Sequence, residues 1–200
     1  MDITALIKTR RAIRHYQDRP ISREQIASLL SLAGWAPSAH NRQPWRVAVL
    51  TQSADKARLA QAMGERLRHD RTADGDPPDD IARDVARSFA RLTGAPVVLV
   101  VCLSMAEMDT YPDERRRHCE WLMAVQSVSM AAQNLWLAAH DQGLAACWLC
   151  GPLFAPAEVS QTLHLPADWQ PLGLITLGYP APGEGRVSHR KSVDEWVIWR

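Results

Sequence analysis

Residues 96–103 read PVVLVVCL and are apolar at every position. A strand with water on one face alternates polar and apolar residues, so this run predicts a strand that is covered on both faces. Further strands are predicted at 45–50, 145–149 and 172–178, and a β-rich tail at 193–199. Helical patterns occupy most of the chain between the strands. We therefore expect an α+β fold of three layers, with one central sheet between helices.

Several helices carry local start signals. Asp2 is placed to cap a helix over 2–8, and Ser22 with Gln25 forms a capping box for a helix that ends near Gly34. Residues 54–68 and 81–92 are also expected to be helical. The segment 69–80 between them is the most polar part of the chain, which favours a solvated surface loop. The alternative is a mobile lid over a site, because long loops in compact domains are often functional.

The longest predicted helix covers 121–140 and carries no charged side chain. A membrane span needs about 20 predominantly apolar residues, and the polar side chains within this stretch (Gln126, Ser127, Ser129, Gln133 and Asn134) make it too polar for hydrocarbon. Apolar residues lie all around it, which is typical of a helix buried on all sides. In a chain of 200 residues such burial is easier when a second copy covers one face. We therefore expect a homodimer and no membrane insertion.

Composition limits the function classes. The 200 residues, 46% of them hydrophobic, fit a single domain over 1–200, and a net charge of +1 argues against general binding of nucleic acid. The N-terminus lacks the pattern of a signal peptide. The cysteines are interpreted as structural thiols rather than as a redox pair or zinc site, because no second Cys-x-x-Cys or His pair accompanies Cys147 and Cys150. A cytoplasmic protein without bound metal is expected.

Three arginines, Arg10, Arg11 and Arg14, lie near the end of the first helix. Guanidinium groups bind phosphate or carboxylate through a planar set of donors, although a charge run at a helix end is usually only solvated. A second basic group, 189–191, follows the last predicted core strand and is placed to return to the same anion. These residues predict an anion site.

A polar turn bounded by Pro37 and Pro44 lies about thirty residues further on. Asn41 and Gln43 in this turn can each donate and accept hydrogen bonds, as a heteroaromatic ring with alternating carbonyls and nitrogens requires. The alternative is a turn whose side chains cap its own backbone. Together with the arginines, the turn predicts a phosphorylated aromatic cofactor. The chain has no Gly-x-Gly-x-x-Gly motif, no P-loop and no convincing nucleophile–base pair, so no catalytic side chain is assigned and the cofactor is expected to carry the chemistry.

Four stretches, taken in order, resemble the FMN-dependent nitroreductase superfamily: Arg10–Arg14, Ala36–Trp45, Ala131–His140 and Gly143–Trp148. The resemblance covers nearly the whole chain. It implies an α+β fold with a central mixed sheet between helical layers. It also implies an obligate homodimer with two FMN molecules at the interface and a C-terminal extension, here 193–200, that crosses to the partner.

The resemblance also implies residue roles. Arg10 and Arg14 resemble contacts to the FMN phosphate and ring edge, with Arg190 returning to the phosphate. Ser38 and Asn41 resemble residues that reach the flavin from the opposing subunit, which makes the site composite. The full set of expected cofactor contacts is Arg10, Arg11, Ala12, Arg14, Pro37, Ser38, Ala39, His40, Asn41, Gln43, Leu149, Cys150, Gly151 and Arg190.

This chain departs from the family pattern in places. Ala12 stands where many members have Ser, and Arg42 replaces a smaller polar residue. The segment 150–154 resembles the subgroup related to the flavin domain of deazaflavin-cofactor glutamyl ligases.

The expected activity is transfer of hydride from NADH or NADPH through FMN to a flat acceptor, such as a nitroaromatic, a quinone or a conjugated enone. One alternative is another reaction on the same cofactor, either dehydrogenation of a biosynthetic intermediate or oxygen-dependent flavin fragmentation. A second alternative is a flavin-binding sensor without catalysis.

Overall fold

The computed structural model describes residues 2–183, 185 and 189–200. In these residues the α-helices are α1 (Ile3–Thr9), α2 (Arg23–Ala33), α3 (Ser53–Ala73), α4 (Pro78–Thr93), α5 (Glu114–Asp141) and α6 (Pro156–Leu163). The strands are β1 (Trp45–Leu50), β2 (Val97–Ser104), β3 (Ala145–Leu149) and β4 (Trp169–Gly178). Short 3-10 helices cover Ala39–Asn41, Gly151–Phe154 and Val193–Glu195. The expected α+β architecture is confirmed.

The sheet has the order β1-β2-β4-β3, and each neighbouring pair is antiparallel. Strand β2 lies at the centre, where Val100 pairs with Ala48 on one side and Leu174 on the other. All eight residues of β2 are buried, as its unbroken apolar run predicts. A parallel component enters at the outer edge of β3, where an isolated bridge joins Ala12 to Ala146.

Helices cover both faces of this sheet. Alternate residues of each strand point to opposite faces, so β2 sends Val97, Leu99 and Val101 toward α2 and α5. Val98 and Val100 point to the other face, where they pack with Leu59 of α3 and Val159 of α6. The hydrogen-bonding capping box at Ser22 and Gln25 starts α2, as expected. Two apolar layers therefore sandwich the sheet.

Helix α5 is longer than expected and is not buried on all sides. Its inner face, including Ala124, Val128 and Leu135, is fully or almost fully buried against the sheet. Its outer face is exposed in the single chain and carries Leu122, Gln126, Ser129, Met130 and Gln133. Among the described residues, no helix is both long and apolar enough to cross a membrane.

The segment 69–80 is largely helical, so the prediction of a surface loop there is wrong. Helix α3 continues to Ala73 and α4 begins at Pro78, which leaves a connection of four residues. The Arg71 guanidinium bonds Asp76 in this connection and Asp84 in α4, and Pro78 occupies the first helical turn. The charged residues that favoured a solvated loop include these ion-pair partners, which connect the two helices.

The C-terminal tail is not β-rich, and this prediction is also wrong. After the 3-10 turn at Val193–Glu195, no strand is formed in the described residues. A strand needs a neighbour to satisfy its backbone groups, and no strand pairs with the tail among the described residues. Trp196, Ile198 and Trp199 are each at least 67% exposed. The tail therefore presents large apolar side chains outward.

Candidate functional site

The arginine segment is held against the outer edge of the sheet. The amide of Ile13 donates to the carbonyl of Ala146 in β3 at 3.2 Å, and the Gln17 amide donates to the Tyr179 carbonyl at 2.9 Å. The Tyr16 ring packs against Gly178, where an added Cβ would come within 2.7 Å of it. The Tyr16 hydroxyl also lies 2.7 Å from Thr176 Oγ1. These contacts fix the backbone from which Arg10 and Arg14 project.

Arg10 lies at the centre of this segment with its guanidinium stacked on an indole. The guanidinium carbon is 4.2 Å from the centre of the Trp136 ring of α5. Its Nη1 atom is buried and has no hydrogen-bond partner among the described residues. Burial, and then the nearby charges of Arg190 and Arg11, lower the pKa of Arg10. A half-buried cation with a buried, unsatisfied donor among like charges is suited to an incoming anion.

A fifth arginine joins Arg10, Arg11, Arg14 and Arg190 at this corner, and the sequence did not reveal it. Arg91 is in the last turn of α4, a position where a basic residue usually interacts only with the helix end. Burial lowers the pKa of Arg91, and the charge of Arg14 lowers it further. Both arginines also act on the buried thiol of Cys147, whose pKa is raised because burial outweighs them. Helix α4 therefore adds positive charge beside Arg14.

The polar turn is strained and internally bonded. His40, Asn41 and Gln43 all have φ near +50°, a conformation that side-chain-bearing residues rarely adopt. The Gln43 amide donates to Ser38 Oγ at 3.1 Å, and Gln43 Nε2 donates to Asn41 Oδ1 at 3.3 Å. Part of the turn thus caps itself, as the alternative interpretation expected. The Asn41 and Gln43 side chains remain exposed with hydrogen-bonding capacity left.

Two buried side chains of α5 hold the turn in place. The Ala39 amide donates to Ser127 Oγ at 3.2 Å, and Ser127 is 1% exposed. Glu120, also 1% exposed, accepts a hydrogen bond from the Asp109 amide at 3.2 Å. The Asp109 carboxylate in turn pairs with Arg42 of the turn at 2.7 Å. The role of Arg42 seen here is therefore to attach the turn to the 105–113 loop.

The segment after β3 forms another wall. The Trp148 indole donates to Cys150 Sγ at 3.1 Å, and Leu149 is half-buried. A Cβ added at Gly151 would lie 2.5 Å from the Met63 methyl group of α3, so glycine allows a close approach of the two elements. A cavity of about 240 Å³ lies between this segment and the α3–α4 hairpin, with Leu67, Ser88 and Phe154 in its walls.

The two parts of the expected site attach to opposite faces of α5. Trp136, under Arg10, follows Ser127, under the turn, by nine residues, which is about two and a half helical turns. Within one chain the arginines and the turn are therefore separated by the helix. Arg10, Arg11, Ala12, Arg14 and Cys147 meet near the edge of β3, whereas Pro37–Gln43 lies on the other side.

These residues fit the phosphate of an FMN molecule. The unsatisfied Nη1 of Arg10 supplies a directed donor, and the charges of Arg11 and Arg190 are close enough to lower its pKa. Ala12 is exposed and has no hydroxyl, so only its backbone could contact the phosphate. The like charges of Arg10, Arg11 and Arg190 would be stabilised by a bound anion.

Comparisons with known proteins agree with this geometry. The model of the Nitroreductase family matches residues 7–179. The chain is 32% identical to the 5,6-dimethylbenzimidazole synthase of Rhodospirillum rubrum, over 89% of this chain and 82% of that protein. It is also 32% identical to a Methanothermobacter thermautotrophicus protein named as an NADH dehydrogenase/NAD(P)H nitroreductase, over 92% of this chain and 81% of that protein.

The fold agrees as well. A Desulfovibrio desulfuricans protein described as a nitroreductase, solved in complex with FMN, superposes with a TM-score of 0.75 at 25% identity. The match covers 100% of this chain and 97% of that one. The chain is therefore an enzyme that belongs to the nitroreductase family.

Proposed function

We propose that this protein is an FMN-dependent oxidoreductase that takes hydride from NADH or NADPH and passes it to a flat acceptor in a second half-reaction. The observation that carries the proposal is the buried, unsatisfied Nη1 of Arg10 beside Arg11 and Arg190. Family membership and the FMN-bound relative support the same cofactor. When bound, FMN supplies the capacity to accept and release hydride.

The protein's own residues would place the cofactor. Arg10 and Arg190 would hold the phosphate, and Arg14 with Arg91 would put positive charge beside it. The exposed amides of Asn41 and Gln43 would bond the polar edge of the ring, and the backbone at Cys150 and Gly151 would line it. His40 and Ser38 in the strained turn would complete the ring pocket. We assign no side-chain acid or base, because solvent can supply protons to an open site.

The site would be completed by a homodimer. The arginines and the turn lie on opposite faces of α5, so one copy does not supply both halves to a single cofactor. The outer face of α5 exposes Leu122 and Met130, and the tail exposes Trp196, Ile198 and Trp199. Packing of two α5 helices through this face would bring the arginines of one copy toward the turn of the other. The tail would then cover apolar surface of the partner, as the family resemblance implies.

The acceptor class is inferred from membership of the nitroreductase family and from the relative named as an NAD(P)H nitroreductase. A nitroaromatic, a quinone or a conjugated enone would take the place of the nicotinamide after it leaves. The cavity beside Gly151, with Met63, Leu67 and Phe154 in its walls, would contact an apolar part of such a molecule.

The experiment is anaerobic stopped-flow reduction of the purified, FMN-loaded protein by NADH and by NADPH, followed by a panel of acceptors. Rapid bleaching of the flavin absorbance and its return with an acceptor are expected. A protein that binds no added FMN would contradict the cofactor assignment. Bound FMN that both nicotinamides reduce only very slowly would instead favour a sensor.

A second candidate is destruction of the flavin to form 5,6-dimethylbenzimidazole. The 32% identity to the Rhodospirillum rubrum synthase over 89% of this chain favours it. Exposure of the reduced protein to air distinguishes the two functions. An oxidoreductase regains its full flavin spectrum, whereas a synthase loses flavin absorbance and releases dimethylbenzimidazole, which mass spectrometry identifies.

A further inference from the structure

Helix α5 presents two side chains to the end of α1, one turn apart. Trp136 lies under the Arg10 guanidinium at 4.2 Å, and His140 Nε2 lies 2.9 Å from Thr9 Oγ1. Residues four apart share one face of a helix, so both contacts come from the same stripe of α5. Thr9 and Arg10 are consecutive at the end of α1. The side chains of Thr9 and Arg10 are therefore each held by α5.

Stacking leaves the hydrogen-bonding edge of Arg10 available. A guanidinium donates its hydrogen bonds in its own plane, and an aromatic ring contacts only the face of that plane. The Trp136 ring thus occupies a surface of Arg10 that makes no hydrogen bonds. The buried Nη1 has no hydrogen-bond partner among the described residues, so its donor capacity is unused.

The surroundings of Arg10 disfavour its charged guanidinium. Arg11 and Arg190 carry like charges, and burial removes water from the guanidinium. Cys147 also acts on Arg10, Asp141 acts on the neighbouring His140, and Arg14 and Arg91 act on Cys147. Among the described residues, no carboxylate bonds to Arg10. In the part of the chain that the structure describes, the cation–π contact with Trp136 is an attraction that opposes this repulsion.

From this geometry we infer that Trp136 is a positioning residue, which stacks on Arg10 and holds its free donor ready for the phosphate of the cofactor. The inference rests on the proposed function for the identity of the phosphate compound. It makes phosphate recognition depend on an aromatic face that does not itself touch the phosphate. It also gives one of the eight tryptophans of this chain a role in binding.

The test compares FMN with riboflavin, which lacks the phosphate, on the apoprotein. Trp136→Leu keeps apolar bulk without the aromatic face, and Trp136→Phe restores a face. We expect Trp136→Leu to weaken FMN binding about tenfold, to leave riboflavin binding unchanged, and to be rescued largely by Trp136→Phe. Trp121→Leu is the control, because Trp121 is half-buried on the same helix and bonds Gln170 instead.

A double-mutant cycle tests the coupling directly. If Trp136 acts through Arg10, Trp136→Leu has little further effect on FMN binding once Arg10→Met is present. Equal weakening of FMN and riboflavin by Trp136→Leu, or additive effects in the cycle, would show a merely structural role and overturn the inference.

Inorganic pyrophosphate separates this inference from the proposed function. Thermal stabilisation of the apoprotein by pyrophosphate should fall in Trp136→Leu and remain in Trp121→Leu. If stabilisation by pyrophosphate falls only in Trp136→Leu while FMN does not bind, the proposed cofactor is wrong and the role of Trp136 stands. If wild-type FMN binding is phosphate-dependent and insensitive to Trp136, the role of Trp136 is wrong. Absence of binding by either compound would overturn both.

Discussion

Ser127 and Trp136 project from opposite faces of the same helix, since nine residues correspond to about two and a half turns. Ser127 anchors the strained turn through the Ala39 amide, and Trp136 stacks on Arg10. The helix therefore keeps the two halves of the expected cofactor site apart in one chain. In the proposed function, this separation makes the cofactor site depend on how two copies assemble.

Loss of the Arg10 charge should weaken FMN binding without harming the fold. Arg10→Met keeps the length of the side chain against Trp136 and removes a buried cation that lies among like charges. We expect FMN affinity to fall about 10- to 100-fold, because a hydrogen bond to a charged group is worth about 1.5–3 kcal/mol. The unfolding free energy of the apoprotein, measured in urea, should not decrease. Arg68→Met, at an exposed position of α3, should change neither quantity.

Removal of the Ser127 hydroxyl should loosen the turn from a distance. In Ser127→Ala the half-buried Ala39 amide loses its acceptor, which costs about 0.5–1.5 kcal/mol. We expect lower stability in urea and weaker FMN binding. Ser129→Ala is a matched control, because Ser129 is exposed and its hydroxyl only donates to the Val125 carbonyl in its own helix. Equal effects of the two variants would contradict the anchoring role.

A charge on the outer face of α5 should separate the subunits. Met130 is 39% exposed, and Met130→Glu would place a carboxylate in the proposed interface. We expect a monomer by light scattering after gel filtration, with loss of FMN binding because the composite site is broken. Phe89→Glu on α4 is the control, since Phe89 is 40% exposed and lies on another helix. A dimeric Met130→Glu protein with FMN bound would place the interface elsewhere.

Gly173 should not accept a side chain. A Cβ at this position would lie 2.3 Å from the Trp148 ring, which lies across the glycine. Gly173→Ala should therefore destabilise the protein by about 1–3 kcal/mol and displace the indole that bonds Cys150. The clash is removed in the double variant Gly173→Ala/Trp148→Leu, whose unfolding free energy should be higher than the sum of the single effects predicts.

His140 should make the apoprotein less stable in mild acid. Burial, followed by the charges of Arg10 and Arg11, lowers the pKa of His140 below its ordinary value. The unfolded chain then binds more protons than the folded one, so stability is lost as the pH falls below about 6.5 toward the lowered pKa. His140→Gln should reduce this dependence between pH 8 and pH 5, measured by urea unfolding. An unchanged pH profile would contradict the assignment.

Part of the candidate site was predictable from local residue patterns. Clustered arginines at a helix end and a proline-bounded amide turn are features of neighbouring residues, so their chemistry is visible without a fold. Arg91 and Trp136 were not predictable in this way. The first resembles an ordinary helix-terminal charge and the second an ordinary core residue, and their contacts join positions far apart in the chain.

The sequence by itself determined the central strand, the capped helix α2 and the anion-binding character of the first arginines, because each depends on periodicity or side-chain chemistry within a short window. Only the tertiary structure decided that 69–80 folds into a helical hairpin, since the partners of Arg71 lie across the connection. It also decided that the tail forms no strand among the described residues, since a strand depends on pairing with a neighbour. Finally, it placed Arg10 and the turn on opposite faces of α5, because that separation depends on helix packing and not on any local pattern.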